Sequence, residues 1–264
     1  MSTPTAIVTD LVGTFLRPAG GYDRERFGRV RSTMDAAGCR FVAVGDQQCP
    51  WLAAQFDRPE ELAFIAESGA VVVDRRRFVD VRALKPEAVA AALAALERTP
   101  EVVGALSSPH ALYVQERNEH TLAALADDYP RNRSVADLRA VPEPVVKVVG
   151  VCPPERTAAV MAALMPAVVG RAKVSSSTPG RVEVVASGVT RSAALATLLT
   201  SWGLDASGVV AFGDGLADLD LLRACGRSFA MANGAPACEA EATDVAPANG
   251  EDGVLVAIEA LFTP

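Results

Sequence analysis

The sequence predicts an α/β protein: a parallel-stranded core interrupted once by a second, inserted α/β unit. Three observations predict it. Short apolar runs ending in Asp or Gly alternate with stretches of helical period, as strand–helix units require. Half of the residues are hydrophobic, mostly Ala, Val and Leu, and only 5% are aromatic, which suits parallel strands buried on both faces under small-residue helices. The pattern also changes near position 83 and resumes near 188. Residues 1–82 and 188–264 therefore read as one core domain, and 83–187 as an insertion.

Each element has its own signal. Ala6–Asp10 is a short apolar run with an acid at its carboxyl end, and Leu11-Val12-Gly13-Thr14 is the turn after it. A helix follows from about Asp23, with Phe27, Val30 and Met34 on one face and Gly38 as its stop. Arg40–Gly45 is the second strand, Trp51–Phe56 a short helix, and Val71–Val73 a strand beyond the break at Gly69. In the insertion, Pro86 opens an Ala-rich helix running to about Arg98. Ala111–Gln115, Val145–Val151 and Val182–Val185 read as strands, with helices near Glu119–Asp127 and Glu155–Met165. The core pattern then resumes. Thr190 caps a helix whose apolar face is Leu195, Leu198, Leu199 and Trp202, and Gly203 ends it. Val209–Asp214 is a strand ending in an acid, and the helix beginning near Ala217 carries Asp218 in its first turn. Ser228–Met231 is a further strand, and a terminal helix runs from about Gly253.

Composition excludes several classes. The formal net charge is −7 and no basic stripe stands out, so nucleic acid is not an expected partner. Arg75, Arg76 and Arg77 form the one basic run and read as a solvated turn. The five cysteines are scattered, without a CxxC pair or metal-ligand spacing, as reduced thiols of a cytoplasmic protein would be. No uncharged apolar run approaches the ~18 residues of a membrane span, and the amino terminus lacks the pattern of a signal peptide.

In an open parallel sheet, ligands bind beyond the carboxyl ends of the strands. Here those ends carry Asp10, Gly45 and Asp214. If the strands are neighbours, Asp10, Asp214 and Asp218 converge, and carboxylates packed that closely repel each other. A hard cation such as Mg²⁺ relieves the repulsion. A phosphate is at home beside such an ion and helix N-termini, and a carboxylate there is a competent nucleophile. Taken singly, strand-terminal aspartates are turn formers and helix caps as often as ligands. The ordered set distinguishes this chain.

That set resembles the haloacid dehalogenase superfamily, and within it the Cof-like sugar-phosphatase branch with its large α/β cap. The DxDGT motif of the superfamily is similar to Asp10-Leu11-Val12-Gly13-Thr14, and GDGxND to Gly213-Asp214-Gly215-Leu216-Ala217-Asp218. The branch's tail is similar to Ala230-Met231-Ala232-Asn233-Gly234 followed by Asn249-Gly250-Glu251-Asp252-Gly253-Val254. Phe64–Ala70 matches a further segment, so the likeness runs along nearly the whole chain. The resemblance implies a Rossmann-like core with an inserted cap, and a phosphohydrolase or phosphotransferase that forms an aspartyl-phosphate at Asp10. It implies Mg²⁺ held by Asp10, the Val12 carbonyl and Asp214, with Asp218 as a further ligand or just behind the ligands. Gly13, Thr14, Gly45, Asp46 and Arg191 fall at the phosphate-binding positions, and Arg191 stands with Asp10 as catalytic. The partner implied is a small phosphorylated metabolite such as a sugar phosphate, with the protein a monomer or homodimer.

The chain departs from the pattern at four places, one of them two residues long. Val12 stands where the acid/base aspartate belongs, Gly45 and Asp46 where Ser or Thr and then Gly belong, Arg191 for a lysine, and Ala217 for an asparagine. Gly45 keeps a backbone N–H to offer a phosphate, and Arg191 keeps a cation. Valine cannot move a proton, and that help is worth roughly 10²–10⁴ in rate. Two readings stay open: a working enzyme with another proton source or an easy leaving group, and a pseudo-phosphatase kept for ligand binding or protein interaction. Outside the motifs, His110 and His120 read as packing or surface residues, and Lys147 as exposed at a sheet edge. Arg181 and Glu183 lie near the return from the insertion, and Asn249 and Asp252 shape a loop beside the site.

Overall fold

A computed structural model describes residues 3–118, 121–122, 125–176 and 178–263. Along the chain, β1 (Ala6–Asp10) leads to α1 (Arg24–Ala36), β2 (Arg40–Val44), α2 (Cys49–Ala54), β3 (Ala63–Ala66), β4 (Val71–Asp74) and β5 (Arg77–Val81). Next come α3 (Pro86–Glu97), β6 (Val103–Ser107), β7 (Leu112–Gln115), β8 (Asn132–Val135), β9 (Lys147–Val151), α4 (Thr157–Val168), β10 (Ala172–Ser175) and β11 (Arg181–Ala186). The chain finishes with α5 (Arg191–Trp202), β12 (Val209–Gly213), α6 (Leu219–Ala224), β13 (Arg227–Met231), α7 (Pro236–Glu241), β14 (Asp244–Ala246) and α8 (Gly253–Phe262). The helix expected over 119–127 and His120 fall partly or wholly outside the described residues.

The strands form two sheets. The larger has the order β14-β13-β12-β1-β2-β3-β4-β5. Neighbours from β14 to β3 are parallel, and β4 and β5 add an antiparallel edge. Because side chains alternate across a strand, β1 feeds two cores. Ile7 points into one with Phe27, Val30 and Met34 of α1 and Ile258 of α8, while Ala6 and Val8 face Leu195, Leu198 and Leu199 of α5. The first core holds an aromatic nucleus of Phe15, Tyr22, Phe27, Phe41 and Phe56, with ring centroids between 4.8 and 5.8 Å. Each such ring is worth about 1.5–3 kcal/mol in burial. The caps follow sequence chemistry. Asp23 accepts the Arg26 amide, Thr190 accepts that of Ala193, and Gly203 ends α5 at φ 68°.

The second sheet has the order β10-β11-β9-β6-β7-β8 and is antiparallel except between β7 and β8. One face packs on α3 and α4 through Leu93, Leu96, Val160 and Leu164. Ser107, Lys147 and Glu183 project from the opposite face toward Glu67 and Ser68 of the first unit.

Two expectations change. Lys147 is not at an edge: β9 lies between β11 and β6, and the side chain is 0% exposed. The arginine run is a turn, with Arg75 and Arg76 at positive φ, but Arg77 opens β5, a strand the sequence did not announce. All five cysteines are free, and no helix of the described residues is long and apolar enough to cross a membrane.

Candidate active site

The site lies at the carboxyl ends of β1, β2 and β12, which are neighbours in the sheet. Asp10 is the last residue of β1, 5% exposed. Asp46 follows β2, and Asp214 and Asp218 follow β12. One ligand oxygen from each of Asp10, Asp214 and Asp218 lies within 4.8 Å of the others. The convergence expected of these acids is therefore present.

Arg191, first residue of α5 and 6% exposed, joins the carboxylates. Its Nη1 donates to Asp10 Oδ1 at 2.8 Å and also to Asp218 Oδ1, and its Nη2 donates to Asp46 Oδ1 at 2.9 Å. Asp218 turns its second oxygen to the amides of Asp214 (3.1 Å) and Gly215 (3.0 Å). Both of its oxygens are thus engaged in holding Arg191 and the turn.

The electrostatics follow from crowding. Burial, then the Asp218 charge, pushes the Asp10 carboxyl well above the usual range, and Arg191 opposes the rise. Burial also raises Asp214. Burial works against the Arg191 charge, but Asp46, Asp218 and Asp10 more than restore it. One guanidinium faces four carboxyls, so the cluster holds excess negative potential.

The turns are shaped for close approach. Gly13 has φ +88°, and a Cβ there would meet Asp214 Oδ2 at 2.4 Å. A Cβ on Gly213 would meet the Asp218 Cβ at 2.4 Å. Asn233 donates to the Gly13 carbonyl at 2.8 Å and accepts the Asn249 amide at 2.8 Å. Asn249 in turn donates to the Leu16 carbonyl at 2.7 Å, and Asp252 pairs with Arg17. The tail motif is thus a brace for the β1 turn, as expected of Asn249 and Asp252.

Two expected phosphate donors are engaged elsewhere. The Gly45 amide donates to the Ile65 carbonyl at 3.0 Å, inside the sheet, so the N–H expected to face a phosphate does not. Thr14 is fully buried and donates its hydroxyl to Asp214 Oδ1 at 2.7 Å. Asp46 pairs with Arg191 rather than pointing away. The Val12 side chain is 55% exposed and carries no group that can move a proton. His110 is exposed, with its ring against Phe78 at 5.5 Å between centroids, a surface position.

A cavity of about 380 Å³ opens beside the cluster, walled by Asp46, Arg191 and Gly215 of the core and by Glu183, Ser175 and Lys173 of the second sheet. Behind this wall lies a group that motif reading passed over. The Lys147 ammonium sits 3.3 Å from both Glu67 Oε2 and Glu183 Oε1 and donates to the Asp46 carbonyl at 2.7 Å. The signal was present: a lone lysine in Val145–Val149 and a lone glutamate in Val182–Val185 are charges inside apolar strands, which demand buried partners.

A buried aspartate at a central strand end, an arginine bridging it to further acids and a cavity beside them walled in part by charged and hydroxyl side chains define a phosphoryl-transfer type of centre. Residues 7–258 match the haloacid dehalogenase-like hydrolases, and the chain belongs to that family, in its Cof-like branch. It is 31% identical to the 5-amino-6-(5-phospho-D-ribitylamino)uracil phosphatase YbjI of Escherichia coli, over 96% of this chain and 94% of that protein. The solved structure of SMU.1108c from Streptococcus mutans superposes with a TM-score of 0.89 at 29% identity, covering 98% of each chain. A haloacid dehalogenase-like hydrolase of Bacteroides thetaiotaomicron shares the fold, with a TM-score of 0.85 at 24% identity over 98% of this chain and 99% of its own.

Proposed function

We propose that the protein is a Mg²⁺-dependent phosphatase of small phosphorylated metabolites that works through an aspartyl-phosphate at Asp10. The observation that carries this is the pairing of a buried, strand-terminal Asp10 with Arg191 beside a cavity whose wall includes charged and hydroxyl side chains. The acids fit the metal, since the donors are all oxygens, crowded, buried or half-buried and short of positive charge. Asp10, the Val12 carbonyl and Asp214 would hold it. Asp218, with both oxygens engaged, orients Arg191 and the Asp214 turn instead. Bound there, Mg²⁺ supplies charge neutralisation at the phosphoryl oxygens.

The chain's own residues do the rest. Asp10 Oδ attacks phosphorus in line with the leaving oxygen. Arg191 stabilises the charge that builds on the phosphoryl oxygens, and its planar fork offers five donors, more than a lysine in the same place. Residues 83–187 act as a cap whose closure excludes water from the reaction. The serines and Lys173 on the cavity wall suit a hydroxylated substrate. The substrate of the Escherichia coli relative, a phosphorylated ribitylamino-uracil, is of that type and supports a sugar- or polyol-phosphate class here. Free cysteines suit a reducing cytoplasm.

A non-catalytic role is less well supported. Buried like charges cost stability, and such strain persists where function keeps it. The test is phosphate release from a panel of sugar, polyol and nucleotide phosphates, with Mg²⁺ and with EDTA, for the wild type beside Asp10→Asn. Release by the wild type that needs Mg²⁺ and falls to background in Asp10→Asn is expected. No release from any member, or undiminished release by Asp10→Asn, would overturn the reading.

A further inference from the structure

Val12 leaves the reaction without its usual proton carrier, so an alkoxide leaving group needs another acid to protonate it. Three carboxyls line the cavity: Asp46, Asp220 and Glu183. Asp46 is paired with Arg191. Asp220 accepts the Ser192 amide at 2.9 Å, at the start of α5. Glu183 is partnered too, by Lys147 and Ser68, but of the three it alone comes from the second sheet. It projects from β11 on the face turned to the core, is 3% exposed, and meets the cavity beside Asp46 and Arg191.

Burial and its partners pull the Glu183 carboxyl in opposite directions. Lys147 is 3.3 Å from Glu183 and 3.3 Å from Glu67, all three within the buried interior, so one ammonium serves two carboxyls. Ser68 donates to Glu183 Oε2 at 3.0 Å, and Ser107 donates to Glu67 Oε1 at 2.8 Å. Asp46 faces the same group through its carbonyl, and the buried Tyr129 lies near it. Burial raises both glutamates; Lys147 and the serine hydroxyls oppose the rise, and the Asp46 charge adds to it at Glu183. The core segment presenting these groups is strained: Glu67 and Ser68 both have positive φ, 53° and 60°, a conformation that costs about 1–3 kcal/mol per residue and concentrates at functional positions.

Resting on the reading of Asp10 as phosphoryl acceptor, we infer that Glu183 is the general acid and base of this enzyme, supplied by the cap in place of Val12. As Asp10 bonds to phosphorus, the bond to the leaving oxygen breaks with its electron pair, and that oxygen takes the proton from the Glu183 carboxyl. The carboxylate left behind is held by Lys147 and Ser68. In the second half, water attacks phosphorus and gives its proton to Glu183, and the bond to Asp10 breaks with its pair returning to the carboxylate. Phosphate leaves, and both residues are as they began.

The experiment compares two esters that differ in their need for a proton: an alkyl phosphate from the panel, and p-nitrophenyl phosphate, whose leaving group departs as a stable anion. Glu183→Gln is expected to lower kcat on the alkyl ester by about 10²–10⁴ and on the aryl ester by no more than a few-fold. Glu67→Gln, which changes the same buried charge, should move both esters together. Val12→Asp in the Glu183→Gln background should restore the alkyl rate. Equal losses on both esters, or none on either, would overturn the role of Glu183 while Asp10→Asn still abolishes turnover. Activity surviving in Asp10→Asn, or no hydrolysis of either ester by the wild type, would overturn both readings. Should Glu183→Gln fail to fold, a series of esters on the wild type decides. A shallow dependence of kcat/KM on leaving-group pKa is expected, and a steep one contradicts the proposal.

Discussion

Asp10 carries two opposed demands, because what makes it reactive also makes it costly to bury. The folded chain favours its protonated form, since burial and Asp218 raise its carboxyl above the unfolded value. The sign follows from linkage. Any stability owed to this group is present at low pH and is lost as pH climbs from the ordinary carboxylate range through the raised value. Asp10→Asn removes the charge and keeps the shape. In EDTA at neutral pH it should therefore be more stable than the wild type, by about 1 kcal/mol or ~2–4 °C, while losing turnover. Thermal unfolding of both proteins from pH 5 to 8 checks this, and the gap should close toward the acid end.

At the scale of elements, β9 and β11 meet the segment after β3 through the Lys147 group. Lys147→Met leaves Glu67 and Glu183 buried without their cation. We expect a loss of about 3–5 kcal/mol at neutral pH, read by urea unfolding. The deficit should shrink as pH falls and the two carboxyls, already raised, are protonated. This element contact also marks where sequence reading runs out. β1 and β12 were legible because strands buried on both faces read as apolar runs ending at the site. β5, β8 and β10 were not, since RFVDV, NRSV and AKVS carry no clean alternation and all three are edge strands. The acids at 10, 214 and 218 were legible as an ordered set. The engagement of Thr14 with Asp214 and of Gly45 with Ile65 was not, because residue type does not fix which partner a donor takes. The pairing of Lys147 with residues 67 and 183 depends on two sheets meeting, which no local pattern encodes.

For the molecule as a whole, the site is a negative cluster waiting for a counter-charge, so folding and ion binding are linked. A ligand that binds only the folded state stabilises it by about 2.7 kcal/mol at a hundredfold excess over its Kd. Millimolar Mg²⁺ should raise the Tm by several degrees in the wild type and by little in Asp214→Asn. The gain should grow with pH, because the ion needs Asp10 ionised and the raised carboxyl ionises late. Differential scanning fluorimetry across a Mg²⁺ titration reads both effects.

All of this depends on Asp10 taking the phosphoryl group. The direct measurement is acid quenching during turnover of the best panel substrate, followed by peptide mapping by mass spectrometry. A phosphoryl group on the peptide bearing Asp10, absent from Asp10→Asn, is the predicted result. Steady turnover with no phosphorylated Asp10 peptide, or with the phosphoryl group on another residue, would contradict it.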